Sequence, residues 1–303
     1  MNNVMTQMLI LFILVIAGYV ANKCRLMDAT FDKKLSNFVI NLSCPCLILS
    51  SVMGDTFPDK NLILPVLVVG FITYVLFTIA AIFLPRIITS KVENRGLYGF
   101  MLAFGNVGFI GYPVTASIFG DSAVFYASLL NFPNTVFIFT LGSMLISGDK
   151  DSIHLHWRTF FCPGLVASYL SMLIVFLGWD NVPTIISTPL QFLGNITVPA
   201  ALLIIGSSMA QMPLKEMLGN RSIYLMSVFR LLILPALFWV ILVFMGFNRT
   251  VVDINTVLAA MPVATYGTMF CIKYGHGEAL MTEGTFVTTV LSIFTIPIIT
   301  MLF

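Results

Sequence analysis

The sequence predicts an all-α membrane protein: ten transmembrane helices in two inverted five-helix repeats, with helices 4 and 9 broken and crossing. Three observations predict it. Of 303 residues, 58% are hydrophobic and only 9% charged, where a soluble domain carries about 25% charged residues. The apolar residues fall into ten runs near the length of roughly 20 residues that spans a bilayer. A short motif recurs in matching spans of the two halves.

Span 1 (4–21) follows Met1-Asn2-Asn3 and lacks the positive start of a cleavable leader. Span 2 (35–54) contains Asn41-Leu-Ser-Cys-Pro45, and span 3 (62–84) follows it. Span 4 (96–119) carries glycines and a proline in its middle, and span 5 (122–148) ends at a polar connection. Span 6 (159–178) is plain, and span 7 (183–211) contains Asn195-Ile-Thr-Val-Pro199. Span 8 (222–246) holds Arg230, span 9 (251–275) again has mid-span Gly and Pro, and span 10 (281–303) closes the chain. The first seven spans contain no Asp, Glu, Lys or Arg; Asp253, Lys273 and Glu283 lie near span ends, where snorkelling is cheap.

Basic residues set the orientation. Lys23, Arg25, Lys33, Lys34, Arg86, Lys91, Arg95, Lys150, Arg158, Lys215, Arg221 and Lys273 follow odd-numbered spans, against Lys60 and Arg249 on the other side. The odd-numbered loops are therefore expected in the cytoplasm and both termini outside it, in an inner or plasma membrane. Residues 1–148 form the first repeat, 149–158 a cytoplasmic connecting loop and 159–303 the second repeat. Five spans per half means that the second half enters from the opposite side, an inverted repeat of the kind secondary transporters use.

Composition excludes other classes. A net charge of +2 is too small to attract nucleic acid. Cys44-Pro-Cys46 has no second pair to complete a metal site, and His154-x-His156 reads as a solvated loop. No cofactor is implied. No Ser/His, paired-Asp or His-Glu-x-x-His arrangement lies within the spans, which argues against an enzyme.

The chemistry is expected at the two interrupted spans. Span 4 reads Phe104-Gly105-Asn106-Val-Gly108-Phe-Ile-Gly111-Tyr112-Pro113, and span 9 reads Met261-Pro262-Val-Ala264-Thr-Tyr266-Gly267. Proline removes a backbone donor and glycine admits unusual dihedrals. Matched breaks near the midplane point to a transport site; kinked helices with packing glycines are the alternative. Each break exposes the start of a half-helix, with about half a positive charge. Two such ends favour an anion. Asn106 adds a neutral donor and acceptor, and Tyr112 and Tyr266 can close the pocket or bond the ligand. Asn41 and Asn195 either face the same cavity or satisfy backbone groups freed by Pro45 and Pro199. Arg230 has three readings: it attracts a carboxylate, caps a broken helix, or snorkels. A carboxylate-based sodium site is poorly supported near the breaks.

The segments at 41–45, 105–113, Arg230-Leu-Leu-Ile-Leu-Pro235 and Met261-Pro-Val-Ala-Thr265 resemble the auxin efflux carrier family in its short bacterial form. The resemblance covers essentially the whole chain. It implies a scaffold of spans 1, 2, 6 and 7, a mobile transport part of spans 3–5 and 8–10, and a homodimer through the scaffold. It places Asn106, Pro113 and Pro262 at the substrate site, and it brings malate- or malonate-like dicarboxylates as substrates of bacterial members. The expected function is elevator-type transport of a small organic mono- or dicarboxylate through a lipid bilayer, with a coupled proton left open. A ligand-binding receptor or sensor without transport, and an anion channel, remain alternatives.

Overall fold

The computed structural model describes residues 2–53, 58–148, 161–179, 181–211 and 221–303, apart from the side chains of residues 2–9, 11, 272 and 273. Every regular element among the described residues is helical. The connecting loop 149–158 with His154 and His156, Lys215, and the side chain of Lys273 lie outside the described residues.

The helices run as α1 (Asn2–Lys23), α2 (Ala29–Phe38), α3 (Cys44–Ser50), α4 (Ile63–Phe83), α5 (Pro85–Ile88), α6 (Arg95–Ala103), α7 (Tyr112–Phe119), α8 (Ala123–Phe137), α9 (Ser143–Ser147), α10 (Pro163–Leu177), α11 (Thr184–Asn195), α12 (Thr197–Gln211), α13 (Arg221–Val228), α14 (Leu234–Phe244), α15 (Arg249–Ala259), α16 (Tyr266–Tyr274) and α17 (Glu278–Thr300). Among the described residues, five continuous stretches are long and apolar enough to cross a membrane: Lys60–Ile88, Ala123–Ser147, Thr184–Gln211, Arg221–Phe244 and Glu278–Thr300. Phe12–Lys23, Val107–Phe119 and Pro163–Leu177 are shorter apolar helices.

Prolines explain several joints. Wide π turns at Val39–Ser43, Val107–Gly111 and Phe229–Ile233 each lead into a residue followed by Pro45, Pro113 or Pro235. Proline has no N–H, and its ring clashes with the carbonyl four residues back. Widening the turn accommodates it: the N–H of Cys44 donates to the carbonyl of Val39, and that of Leu234 to Phe229, each five residues back. α2 begins at Ala29, ahead of the apolar run at 35–54, because Asp28 caps it by accepting from the Phe31 N–H at 2.7 Å.

The chain divides into two compact units. The first comprises Met1–Val66, Gly108–Leu129 and His156–Met212. In it, α1 lies directly against α12: a Cβ on Gly18 would fall on the backbone of Leu203, and one on Gly206 on the carbonyl of Val15. Only glycine permits backbones this close. α3 packs on α10 and α11. The resemblance assigns all of spans 3–5 to one part, yet α7 packs on α1 and α12 here, and Phe109 packs on Met27, Val39, Ala200 and Ile204. These contacts draw residues 108–129 into the first unit.

The second unit comprises Leu67–Val107, Leu130–Leu155 and Pro213–Phe303. Its core is aromatic. Tyr74 stacks on Phe104 and Phe137, and Phe77 meets Phe238 edge-on at 4.9 Å. Gly70 admits Pro133 at 3.1 Å from where a Cβ would stand.

Candidate functional site

The two interrupted runs meet within the second unit. α6 ends at Ala103, after which Phe104 is extended, with φ −112° and ψ 118°. α15 ends at Ala259, and helix resumes at Tyr266. The intervening residues pair as a single antiparallel bridge, Gly105 with Val263. The Asn106 N–H donates to the Pro262 carbonyl at 2.8 Å, and the Ala264 N–H to the Phe104 carbonyl at 3.0 Å. A broken helix in an apolar surrounding must satisfy its freed backbone groups. Here the breaks satisfy each other. The Val263 N–H, left over, donates to Thr288 Oγ1 on α17 at 3.1 Å.

Arg230 sits beneath the bridge and is only 1% exposed. Its Nη1 donates to the carbonyls of Leu102 at 2.9 Å and Ala103 at 3.4 Å; its Nε donates to that of Met261 at 3.2 Å. The guanidinium also lies over the Phe77 ring, 4.6 Å from its centroid. Of the three sequence readings, the geometry is that of a cap: Arg230 holds the C-terminal ends of both first half-helices. A Cβ on Gly105 would coincide with Arg230 Nη2, so Gly105 is the residue that lets the guanidinium under the bridge.

The other expected site residues separate into two groups. Asn106 (8% exposed), Pro262 and Ala264 are buried at the bridge, while Tyr266 is 42% exposed and packs edge-on against Phe139. Gly267 is a packing glycine, because a Cβ there would press on Phe100 and Met281. Gly108, Gly111, Tyr112 and Pro113 belong to the first unit, as do Asn41 and Asn195. Pro113 does not mark the interruption itself: that lies at Phe104–Asn106, and Pro113 follows the wide turn Val107–Gly111, which accommodates its missing N–H. A Cβ on Gly108 would meet nothing within 4 Å. Asn41 donates to the carbonyl of Asn37 one turn back, at 2.9 Å, and both Asn41 and Asn195 are exposed.

Sequence reasoning missed several polar groups. On α8, Asn134 Nδ2 donates to Asn131 Oδ1 at 2.8 Å, leaving the buried Asn134 Oδ1 with no hydrogen-bond partner. Asn255 of α15 donates to Thr73 of α4 at 2.9 Å. In the first unit, buried Asp32 accepts from Ser207 and Gln211, each at 2.7 Å. The one available signal was the rarity of Asn and Asp in apolar runs. Among the described residues no cluster of His, Cys, Asp and Glu could hold a metal.

A family model described as membrane transport protein matches residues 3–300. The chain belongs to that family, the auxin efflux carriers of the sequence resemblance. The transporter is 26% identical over 302 residues to an uncharacterized transporter of Methanocaldococcus jannaschii, covering 97% of each chain. It is 29% identical to an uncharacterized transporter of Methanothermobacter thermautotrophicus, covering 94% of each. A candidate malonate transporter of Rhizobium meliloti is 23% identical, with 94% of this chain and 91% of that one covered. The chain is thus a multi-pass membrane transporter, and family and relatives alike mark it as a transporter rather than an enzyme.

Proposed function

We propose that this transporter carries a small organic anion, a mono- or dicarboxylate, by elevator-type alternating access. The observation that carries the reading is the bridged pair of helix breaks at Gly105 and Val263. Beyond the bridge, α16 starts at Tyr266 and brings the positive end of its dipole to the break. Asn106 supplies a side-chain amide at the same place. An anion held there needs no basic side chain of its own, since helix N-termini suffice as anion sites.

Internal symmetry supports ten spans in two inverted repeats. The motif Asn41–Pro45 recurs at Asn195–Pro199, and the motif's own equivalents touch: Ser43 Oγ and Thr197 Oγ1 lie 2.6 Å apart, at a separation of 154 residues. At the bridge, Gly105 and Val263 join the two interrupted runs, spans 4 and 9 of the expected repeat. The Ser43–Thr197 pair in the first unit is a contact expected beside a local two-fold axis. The unit with the breaks serves as the moving part and the other as the scaffold and dimer contact, both termini being outside the cytoplasm. A carrier with matched, inverted halves has two similar end states, which alternating access requires.

The Rhizobium relative makes malonate the first substrate to try. In proteoliposomes, labelled malonate and other carboxylates should show saturable counterflow, with a pH gradient testing for a coupled proton. Asn106→Ala should cut the flux at least tenfold with insertion intact. Unchanged counterflow in that variant removes Asn106 from the site, and saturable binding without flux replaces carrier by receptor.

A further inference from the structure

The carbonyl groups gathered around Arg230 form an arrangement that usually serves another purpose. In carriers built on broken helices, unwound carbonyls and half-helix C-terminal ends coordinate a transported sodium ion. Here such a set exists, made of the Leu102 and Ala103 carbonyls ending α6 and the Met261 carbonyl beyond α15. It is filled by a side chain. We propose that Arg230 is a tethered cation seated in a sodium-type carbonyl cage, so that transport by this protein requires no sodium, and that removing the guanidinium opens a site for a small cation.

Four features of the structure converge on this assignment. Both half-helices point their C-terminal ends at the guanidinium, and each end carries about half a negative charge. Together they balance one arginine. Among the described residues no carboxylate forms an ion pair with Arg230, the ion pair present being Arg249 with Asp253. The charge is therefore held by backbone carbonyls and the Phe77 face, the partners a small cation would also find. Finally, Gly105 leaves space that any side chain would take from Nη2, so the break is shaped to the guanidinium. Without a cation there, carbonyls of both half-helices would lose their donor in a fully buried setting, and the bridge directly above would lose its support. Arg230 acts on the anion through the bridge rather than by contact, which makes it a positioning residue.

The assignment rests on the transport reading only for its flux arm. The test uses the purified full-length protein as wild type, Arg230→Ala and Arg230→Lys. Thermal midpoints are measured with no organic anion present, at constant ionic strength, in millimolar sodium, potassium, choline or methylguanidinium chloride. The wild type should be indifferent to the cation. Arg230→Ala should melt lower and be restored, saturably, by methylguanidinium or sodium but not by choline. Arg230→Lys, which keeps a tethered cation of different shape, should fold and show a smaller loss and no cation response. In proteoliposomes, wild-type flux should be equal in sodium and in choline, and flux through Arg230→Ala should depend on added methylguanidinium or sodium. A wild-type carrier that requires sodium overturns the proposal. So does an Arg230→Ala protein equally stable in every cation, or an Arg230→Lys protein rescued by free cations as Arg230→Ala is. If no organic anion moves through any variant while cation-specific rescue of stability persists, the substrate reading fails and the tethered cation stands.

Discussion

The hydroxyl pair Ser43–Thr197 provides a measurable test of the local symmetry. Both side chains are fully buried. Ser43 Oγ donates to the Leu193 carbonyl at 2.8 Å and lies 2.6 Å from Thr197 Oγ1. Ser43→Ala removes the first bond and strands the threonine hydroxyl; a buried polar group without a partner costs about 1–3 kcal/mol. Thr197→Val keeps the shape and removes the other partner, leaving Ser43 its bond to Leu193, so about 1 kcal/mol is expected. In the double variant nothing is stranded at the pair. Couplings of polar pairs within membrane proteins average about 0.6 kcal/mol and reach about 1.7; the short distance and complete burial place this one in the upper half of that range. The assay is reversible unfolding of the purified protein in mixed micelles, read by tryptophan fluorescence across the four members of the cycle. Losses that add to within about 0.3–0.5 kcal/mol would show that the two residues act independently, and the contact would then carry no weight as a link between the halves.

Further outcomes follow from other contacts. Gly206→Ala drives a Cβ into the Val15 carbonyl, a backbone atom that cannot swing aside, and should cost about 1–3 kcal/mol in the same unfolding assay. Thr288→Val strands the Val263 N–H behind the bridge; it should cost about 1–3 kcal/mol and reduce counterflow, whereas a loss of stability with normal flux would separate the bridge from transport. Arg249→Gln breaks a 3.2 Å pair between the half-exposed Arg249 and the buried Asp253 and should cost about 1 kcal/mol, since Asp253 keeps its bond from Trp239 at 3.0 Å.

What could be read in advance was local. The mid-run glycines and prolines of 104–113 and 261–267 point to interrupted helices because the constraint is covalent and acts on the neighbouring turn. Even so, Pro113 misleads about position: a wide turn absorbs it, and the chain departs from helix at Phe104, where glycine and asparagine follow. Helix begins at Ala29, ahead of the apolar run at 35–54, because Asp28 caps it and Asp32 is buried against α12, neither of which hydropathy marks. Polar partnerships were beyond reach. Arg230 finds its acceptors at Leu102 and Met261, 128 and 31 residues away, and Asn255 finds Thr73 at a separation of 182. Nothing in the neighbourhood of an arginine tells which carbonyls a broken helix elsewhere will leave open. Three readings of Arg230 were therefore equally available, and the geometry selects the cap.

The close seam between α1 and α12 bears on how the protein is made. Gly18 and Gly206, whose bare backbones define that seam, stand roughly 190 residues apart, and a ribosome adding about 5–20 residues per second needs some 10–40 s to bridge that interval. α1 thus leaves the ribosome well before the partner it packs against is made. During that wait its small-residue face is a standing invitation to any other helix nearby, so the order of translation, as much as the final packing, selects which helix α1 takes as its neighbour.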